Sequence, residues 1–164
     1  LLPKTFIQQH IKLAQKRKIV AGSRFLIDEQ ETRKVLEPAR QNCHGYEFSS
    51  YKFTRLPLGI LRDIRPRAWQ SVRSCNFSAC TDDILNVGGF DESYIGWGRE
   101  DSDLIARMLR VGMTIRNGRF AACVAHLDHE EQSRARLSLN DNAFKQTLEG
   151  NEITQASQSI LGEV

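Results

Sequence analysis

The chain has 164 residues, 40% hydrophobic and 26% charged, close to average globular usage. These values exclude a disordered, collagen-like or low-complexity chain, and the length suffices for one buried core. The formal net charge of +3 is uneven: residues 1–67 hold 14 Lys/Arg and 6 Asp/Glu, whereas residues 68–164 hold 9 and 14. A basic half suits an anionic membrane surface or a phosphate-bearing substrate. Its cations are scattered without aromatic interleaving, so nucleic acid is not expected as a partner. No apolar run approaches the roughly 20 residues that span a bilayer, and none has the flanks of a signal peptide. Cys43, Cys75, Cys80 and Cys123 form no CxxC pair. A zinc ribbon is therefore disfavoured, and Cys75 and Cys80 are expected to pack as small hydrophobes. Reduced thiols and a cytoplasmic setting are the expectation, with peripheral association at the inner face of the membrane.

In chain order, residues 4–17 read as an amphipathic helix on Phe6, Ile7, Ile11, Leu13 and Ala14, with Pro3 suited to its start. Lys18 to Ile27 is β-branched and aromatic, a buried strand interrupted at Gly22. Residues 28–40 carry charged helix formers. Residues 41–70 hold Gly45, Pro57, Gly59 and Pro66 and read as loops and short elements. Cys43-His44 has no further ligand spacing and reads as incidental. Arg73 to Ala79 reads as a strand. Thr81-Asp82-Asp83 suits the cap of a short helix from Ile84 to Val87, stopped by Gly88-Gly89. Glu100 to Val111 is helical, with Leu104, Ile105, Met108 and Leu109 on one stripe and Gly112 as the stop. Thr114 to Leu127 reads as a strand pair or one long bent strand, with Asn117-Gly118 a hairpin signal. Asp128 and Glu131 have capping-box spacing for a further helix. Leu139 to Val164 is polar and mildly helical.

The chemically informative stretch is Gly88-Gly-Phe-Asp-Glu-Ser-Tyr-Ile-Gly-Trp-Gly-Arg-Glu-Asp-Ser-Asp103. It holds five carboxylates and four glycines, with Trp97 between two of the glycines, and runs straight into a helix. Glycines let the backbone approach a ligand, and a Trp between them offers a flat face to a sugar ring. A carboxylate at a helix start, held beside a bound hydroxyl, has the character of a general base. The bland alternative is a turn with a capped helix.

This run closely resembles the acceptor-site signature of family 2 glycosyltransferases. It is also similar to the galactosyltransferase C-terminal domain, whose pattern is GGFDE, a W-G-x-E-D core and an Arg on the following helix. Asn76-Phe77-Ser78 fits the N-x-S strand before it, and Gly22-Ser23-Arg24 fits a G-x-R strand end. The resemblance covers roughly residues 1–142. It implies an α/β chain with a mixed sheet and flanking helices, part of a GT-A fold. It also implies an inverting transferase that moves a sugar from a nucleotide-sugar donor to a glycan or lipid-linked saccharide. Surface polysaccharide or lipopolysaccharide biosynthesis is the expected setting.

By the same resemblance Asp101 is the catalytic base, and Glu100 holds acceptor hydroxyls. Trp97 and Gly98 line the acceptor pocket, with Asn76 as a further substrate-binding residue. His126, with His129 as the alternative, is a ligand of a divalent cation, Mn²⁺ or Mg²⁺, that holds the donor diphosphate. Arg99 stands where the galactosyltransferase pattern has a small residue. Asp103 and Arg107, four apart on a helix, read as a structural ion pair.

The family's D-x-D metal motif would precede a segment resembling Leu1-Leu2-Pro3-Lys4-Thr5-Phe6. The expectation is therefore the acceptor-side part of a transferase over 1–142 with a polar tail over 143–164, inactive alone. The alternatives are a non-catalytic glycan-binding or scaffold module, and a metal-dependent hydrolase on His126 and His129.

Overall fold

The computed structural model describes residues 1–41, Arg62 and residues 69–150. Most of the stretch read as loops over 41–70, Cys43-His44 included, and the end of the tail lie outside the described residues. The elements in order are α1 (Phe6–Leu13), β1 (Lys18–Ala21), β2 (Ser23–Leu26), α2 (Glu29–Gln41), β3 (Phe77–Ser78), α3 (Thr81–Leu85), α4 (Glu100–Arg110), β4 (Thr114–Asn117), β5 (Cys123–His126) and α5 (Leu137–Glu149). Single 3₁₀ turns cover Trp69–Ser71 and Ser74–Asn76. The chain is a mixed α/β structure. No helix among the described residues is long and apolar enough to cross a membrane.

β1 lies centrally, antiparallel to β3 and parallel to β4, with Ile19 opposite Ile115 and Ala21 opposite Phe77. Side chains alternate faces along a strand, and β1 buries both faces. Ile19 and Ala21 join Leu104, Ile105 and Met108 of α4 in the main core, while Val20 meets Leu13 and Ala122 on the other face. The predicted α4 stripe is therefore real, and each of its large side chains contributes about 1.5–3 kcal/mol by leaving water. Gly112, at φ 86°, ends α4, and the Met113 N–H reaches back to the Met108 carbonyl at 3.2 Å.

β2 continues the direction of β1 after Gly22 and pairs in parallel with β5, Leu26 opposite His126. The expected long strand is thus present, but only its first half is buried: Arg24, Phe25 and Leu26 are exposed. β4 and β5 do not form the expected hairpin. They are two strands of different sheets separated by a turn over 118–122, β4 pairing with β1 and β5 with β2, so neither a strand pair nor one continuous strand forms. The hairpin signal at Asn117-Gly118 loses to this parallel pairing, which buries Ile115, Val124 and Ala125. The turn is absorbed locally, with the Arg119 N–H on Asn117 Oδ1 at 2.8 Å and the Gly118 N–H on the Ala21 carbonyl at 2.7 Å.

Other expectations are corrected. Arg73 to Ala79 is mostly a 3₁₀ turn with a two-residue strand. α3 starts one turn earlier than expected. Its cap position is Cys80, with no side-chain hydrogen bond, and Asp83 instead accepts the Arg17 N–H at 3.1 Å. No helix begins at Asp128, whose N–H is taken by Thr32 Oγ1 at 2.9 Å. The chain from Leu127 to Arg134 is irregular, and α5 runs unbroken across residue 142 with Phe144 buried. Cys75 and Cys80 are exposed rather than packed; Cys123 is the buried thiol among the described cysteines.

Candidate active site

The Gly88–Arg99 stretch folds as turns and bends gripped from beneath by side chains of α4 and α5. Arg107, buried on α4, donates from Nε to Asp103 Oδ2 at 2.8 Å, from Nη2 to the Gly89 carbonyl at 2.7 Å, and from Nη1 to the Val87 carbonyl. Asp103 also accepts Thr147 Oγ1 of α5 at 2.6 Å and the Tyr94 hydroxyl at 3.3 Å. Burial, and then the Asp103 charge, push the Tyr94 hydroxyl up to about 12, so it remains a donor at neutral pH. The i,i+4 pair expected on the surface or in the core is thus a buried hub for the whole turn.

At the far end of the stretch, Asn140 Nδ2 of α5 lies 3.1–3.3 Å from the carbonyls of Ile95, Trp97 and Gly98. Gly96 and Gly98 have φ values of 81° and 102°, the left-handed region that favours glycine. Arg99 also takes this conformation, at φ 83°, where the small residue of the galactosyltransferase pattern would cost least. Its Nε reaches Asp141 Oδ1 at 2.5 Å, and its guanidinium lies 5.6 Å from the centre of the Phe144 ring.

The turn forms one side of a cleft of about 890 Å³. Trp97, Gly98, Glu100, Asp101, His126 and His129 all line it, so the structure brings these predicted residues to one place. Glu100 and Asp101 open α4, where N–H groups without intrahelical partners favour negative charge. Asp101 Oδ2 accepts the Ser74 N–H at 3.1 Å, and its Oδ1 accepts Ser102 Oγ at 3.2 Å. Glu100 Oε2 is buried without a hydrogen-bond partner. A carboxylate oxygen in that state is costly unless a ligand or water supplies a donor. Trp97 is 38% exposed; its backbone N–H donates to the Ser133 carbonyl at 3.3 Å, and the Arg134 guanidinium stacks 4.3 Å from its ring centre.

Elsewhere in the cleft lining, the Nε2 atoms of His126 and His129 are 3.1 Å apart, and His129 Nδ1 donates to the Glu130 carbonyl at 2.9 Å. Burial, then the positive charge of Arg24, the neighbouring His129 and the N-terminus, lower the His126 pKa, so its imidazole is neutral near pH 7. Among the described residues no three His, Cys, Asp or Glu side chains come together as a metal site. His126 and His129 stand there as a pair of imidazoles without a third such side chain among the described residues.

Asn76 is not in this cleft. It is 3% exposed, and its amide is fully used: Oδ1 meets His10 Nε2 at 2.9 Å, while Nδ2 donates to the carbonyls of Ser23 and Ala122 at 2.8 and 3.0 Å. It fills the space that Gly22 leaves, where a Cβ would lie 2.3 Å from Asn76 Nδ2. Asn76, expected to bind substrate, is thus set apart from the other expected site residues and joins α1, β2 and the turn before β5. Sequence reading missed Asn140, Arg134, Trp69 and Arg73. The last three line the cleft, and Asn140 grips its Trp97 turn. An Asn on a polar helix and scattered arginines carry no local signal.

The family model described as the N-terminal domain of galactosyltransferase matches residues 63–130, less than half of the chain. The match takes in the Gly88–Asp103 turn, α4 and His126. No curated protein matches the chain. Over residues 63–130 the chain is therefore similar to a glycosyltransferase domain of galactosyltransferase type.

Proposed function

We propose that the chain is the acceptor-side part of an inverting glycosyltransferase of GT-A type. It would transfer a sugar from a nucleotide-sugar donor to a glycan or lipid-linked saccharide used in surface polysaccharide or lipopolysaccharide biosynthesis. The observation that carries this reading is the buried, unpartnered Glu100 Oε2 beside Asp101 in a cleft that also exposes Trp97. A saccharide hydroxyl supplies the donor that Glu100 lacks, and the Trp97 face takes the apolar side of a pyranose ring. Asp101 takes the proton of the attacking hydroxyl. The acceptor oxygen bonds to C1 of the donor sugar as the C1–O bond to the diphosphate breaks on the opposite side, which inverts C1. The Ser74 N–H and Ser102 Oγ hold the Asp101 carboxylate in place for this step.

His126, with His129, would hold a divalent cation, and that cation supplies charge neutralisation for the departing diphosphate. Leu1 exchanges both backbone hydrogen bonds with Ala125, at 2.6 and 3.1 Å, so the start of the chain lies beside His126. Carboxylates carried by any chain reaching that position would complete the donor set.

The test is Asp101→Asn in a transferase that contains this chain and its donor-binding part. General-base catalysis contributes typically about 10²–10⁴-fold, so the transfer rate falls by that order while nucleotide-sugar binding is retained. A near-wild-type rate removes Asp101 as the base. If Asp101→Asn changes nothing yet Trp97→Ala abolishes saturable glycan binding, the chain is a glycan-binding module instead.

A further inference from the structure

The first acidic residue of the chain is Asp28; before it stand Lys4, Lys12, Lys16, Arg17, Lys18 and Arg24. α1 lies in this stretch and turns Phe6, His10 and Leu13 inward, His10 and Leu13 being buried. Its neighbouring pair, Ile7 and Ile11, faces outward one turn apart, with Ala14 exposed just past the helix end. Ile7 is 63% exposed and Ile11 68%, and Leu2, just before the helix, is 59% exposed. The pair borders an apolar groove of about 170 Å³ completed by Val20, Ala79 and Cys80. Single exposed apolar residues are ordinary, but two isoleucines one helical turn apart with a groove alongside, in a stretch whose own side chains are basic and apolar, are a larger feature; the Asp83 carboxylate that meets this stretch is buried against the Arg17 N–H.

We propose that α1 is the docking surface for an anionic lipid bilayer, with Ile7 and Ile11 entering the boundary between headgroups and acyl chains. The exposed Lys12 on the helix and the exposed Lys16, in the turn after it, meet the headgroups. Charge complementarity selects this occupant: a second copy of the chain would set the same cations against each other, whereas anionic headgroups neutralise them. The helix is already folded against β1, so binding carries no cost of ordering it, unlike a short free peptide. None of these residues lines the cleft. Vesicle binding and sugar transfer therefore fail independently of each other.

The experiment is co-sedimentation of the full chain with phosphatidylcholine vesicles, with and without phosphatidylglycerol. Binding is expected only with phosphatidylglycerol, and it weakens as salt rises. Lys12→Glu/Lys16→Glu weakens it by at least about tenfold, since each basic residue near such a surface acts separately. Ile7→Gln/Ile11→Gln weakens it by a similar factor at unchanged charge. All four positions are exposed, and an unchanged circular dichroism spectrum checks that folding is intact. The proposal is overturned by equal binding to both vesicle types, or by binding that ignores the isoleucine pair. It is likewise overturned if no vesicle binds and sedimentation finds a dimer that Ile7→Gln/Ile11→Gln dissolves, because the face then belongs to a second copy.

Discussion

Arg107→Met tests whether α4 holds the cleft turn. The side chains of Arg107 and Asp103 are 1% and 2% exposed, so neither charge has water to fall back on. Methionine fills much of the space of the arginine stem but makes none of its bonds. The substitution strands the Asp103 charge with only the Thr147 and Tyr94 hydroxyls, and it frees the carbonyls of Val87 and Gly89. Removing one member of a buried pair costs about 3–5 kcal/mol, a large share of the 5–15 kcal/mol that a typical domain has. For a chain of this length each kcal/mol moves Tm by about 2–4 °C, so differential scanning calorimetry should find Tm lower by about 10 °C. The double variant Asp103→Leu/Arg107→Met should regain at least half of that loss, because no isolated charge is left. Under the proposed function it should not recover glycan binding, since the Val87 and Gly89 carbonyls remain ungripped. A Tm fall under about 2 °C for Arg107→Met refutes the buried-hub reasoning. So does a double variant less stable than the single.

Further outcomes follow from the same packing. Asn76→Ala removes the acceptor of the buried His10 ring and one donor each from the Ser23 and Ala122 carbonyls, the latter keeping the Ser23 N–H; a loss of about 2–4 kcal/mol is expected in urea unfolding. Retained glycan affinity in that variant checks its position outside the cleft, and a selective loss of affinity without loss of stability would contradict it. His10 has a pKa lowered chiefly by burial, partly offset by its bond to Asn76. The unfolded chain therefore binds this proton first. The stability contributed is present above the unfolded value, about 6.5, and is lost as pH falls from there toward the folded value. His10→Gln should make the stability difference between about pH 7.5 and about pH 5.5 smaller than in the parent, and an unchanged difference counts against a buried neutral His10. Arg134→Ala uncovers the Trp97 ring, so acrylamide should quench its fluorescence more strongly; unaltered quenching would mean that the ring is not stacked in solution.

The motif turn was legible in the sequence because its signal is local: glycines where the backbone needs positive φ, a Trp between them, and acids at a helix start. The α4 stripe and its Gly112 stop were legible for the same reason, as was the break at Gly22. What the sequence by itself determined is thus the chemistry offered by Trp97, Glu100, Asp101 and His126, and the elements carrying them. Tertiary structure alone decided which of these meet. Parallel pairing of β1–β2 with β4–β5 overrode the Asn117-Gly118 hairpin, because pairing across the sheet buries more apolar surface than a local turn can. The same pairing brings His126 into the cleft that Asp101 also lines. It also put Asn76 under Gly22, where an amide matching the N-x-S strand holds three backbone and side-chain partners. Hydrogen bonds between residues 40 or more positions apart, such as Asn140 to Gly98 and Arg99 to Asp141, leave no periodicity or spacing to read; they exist only once α5 has packed against α4.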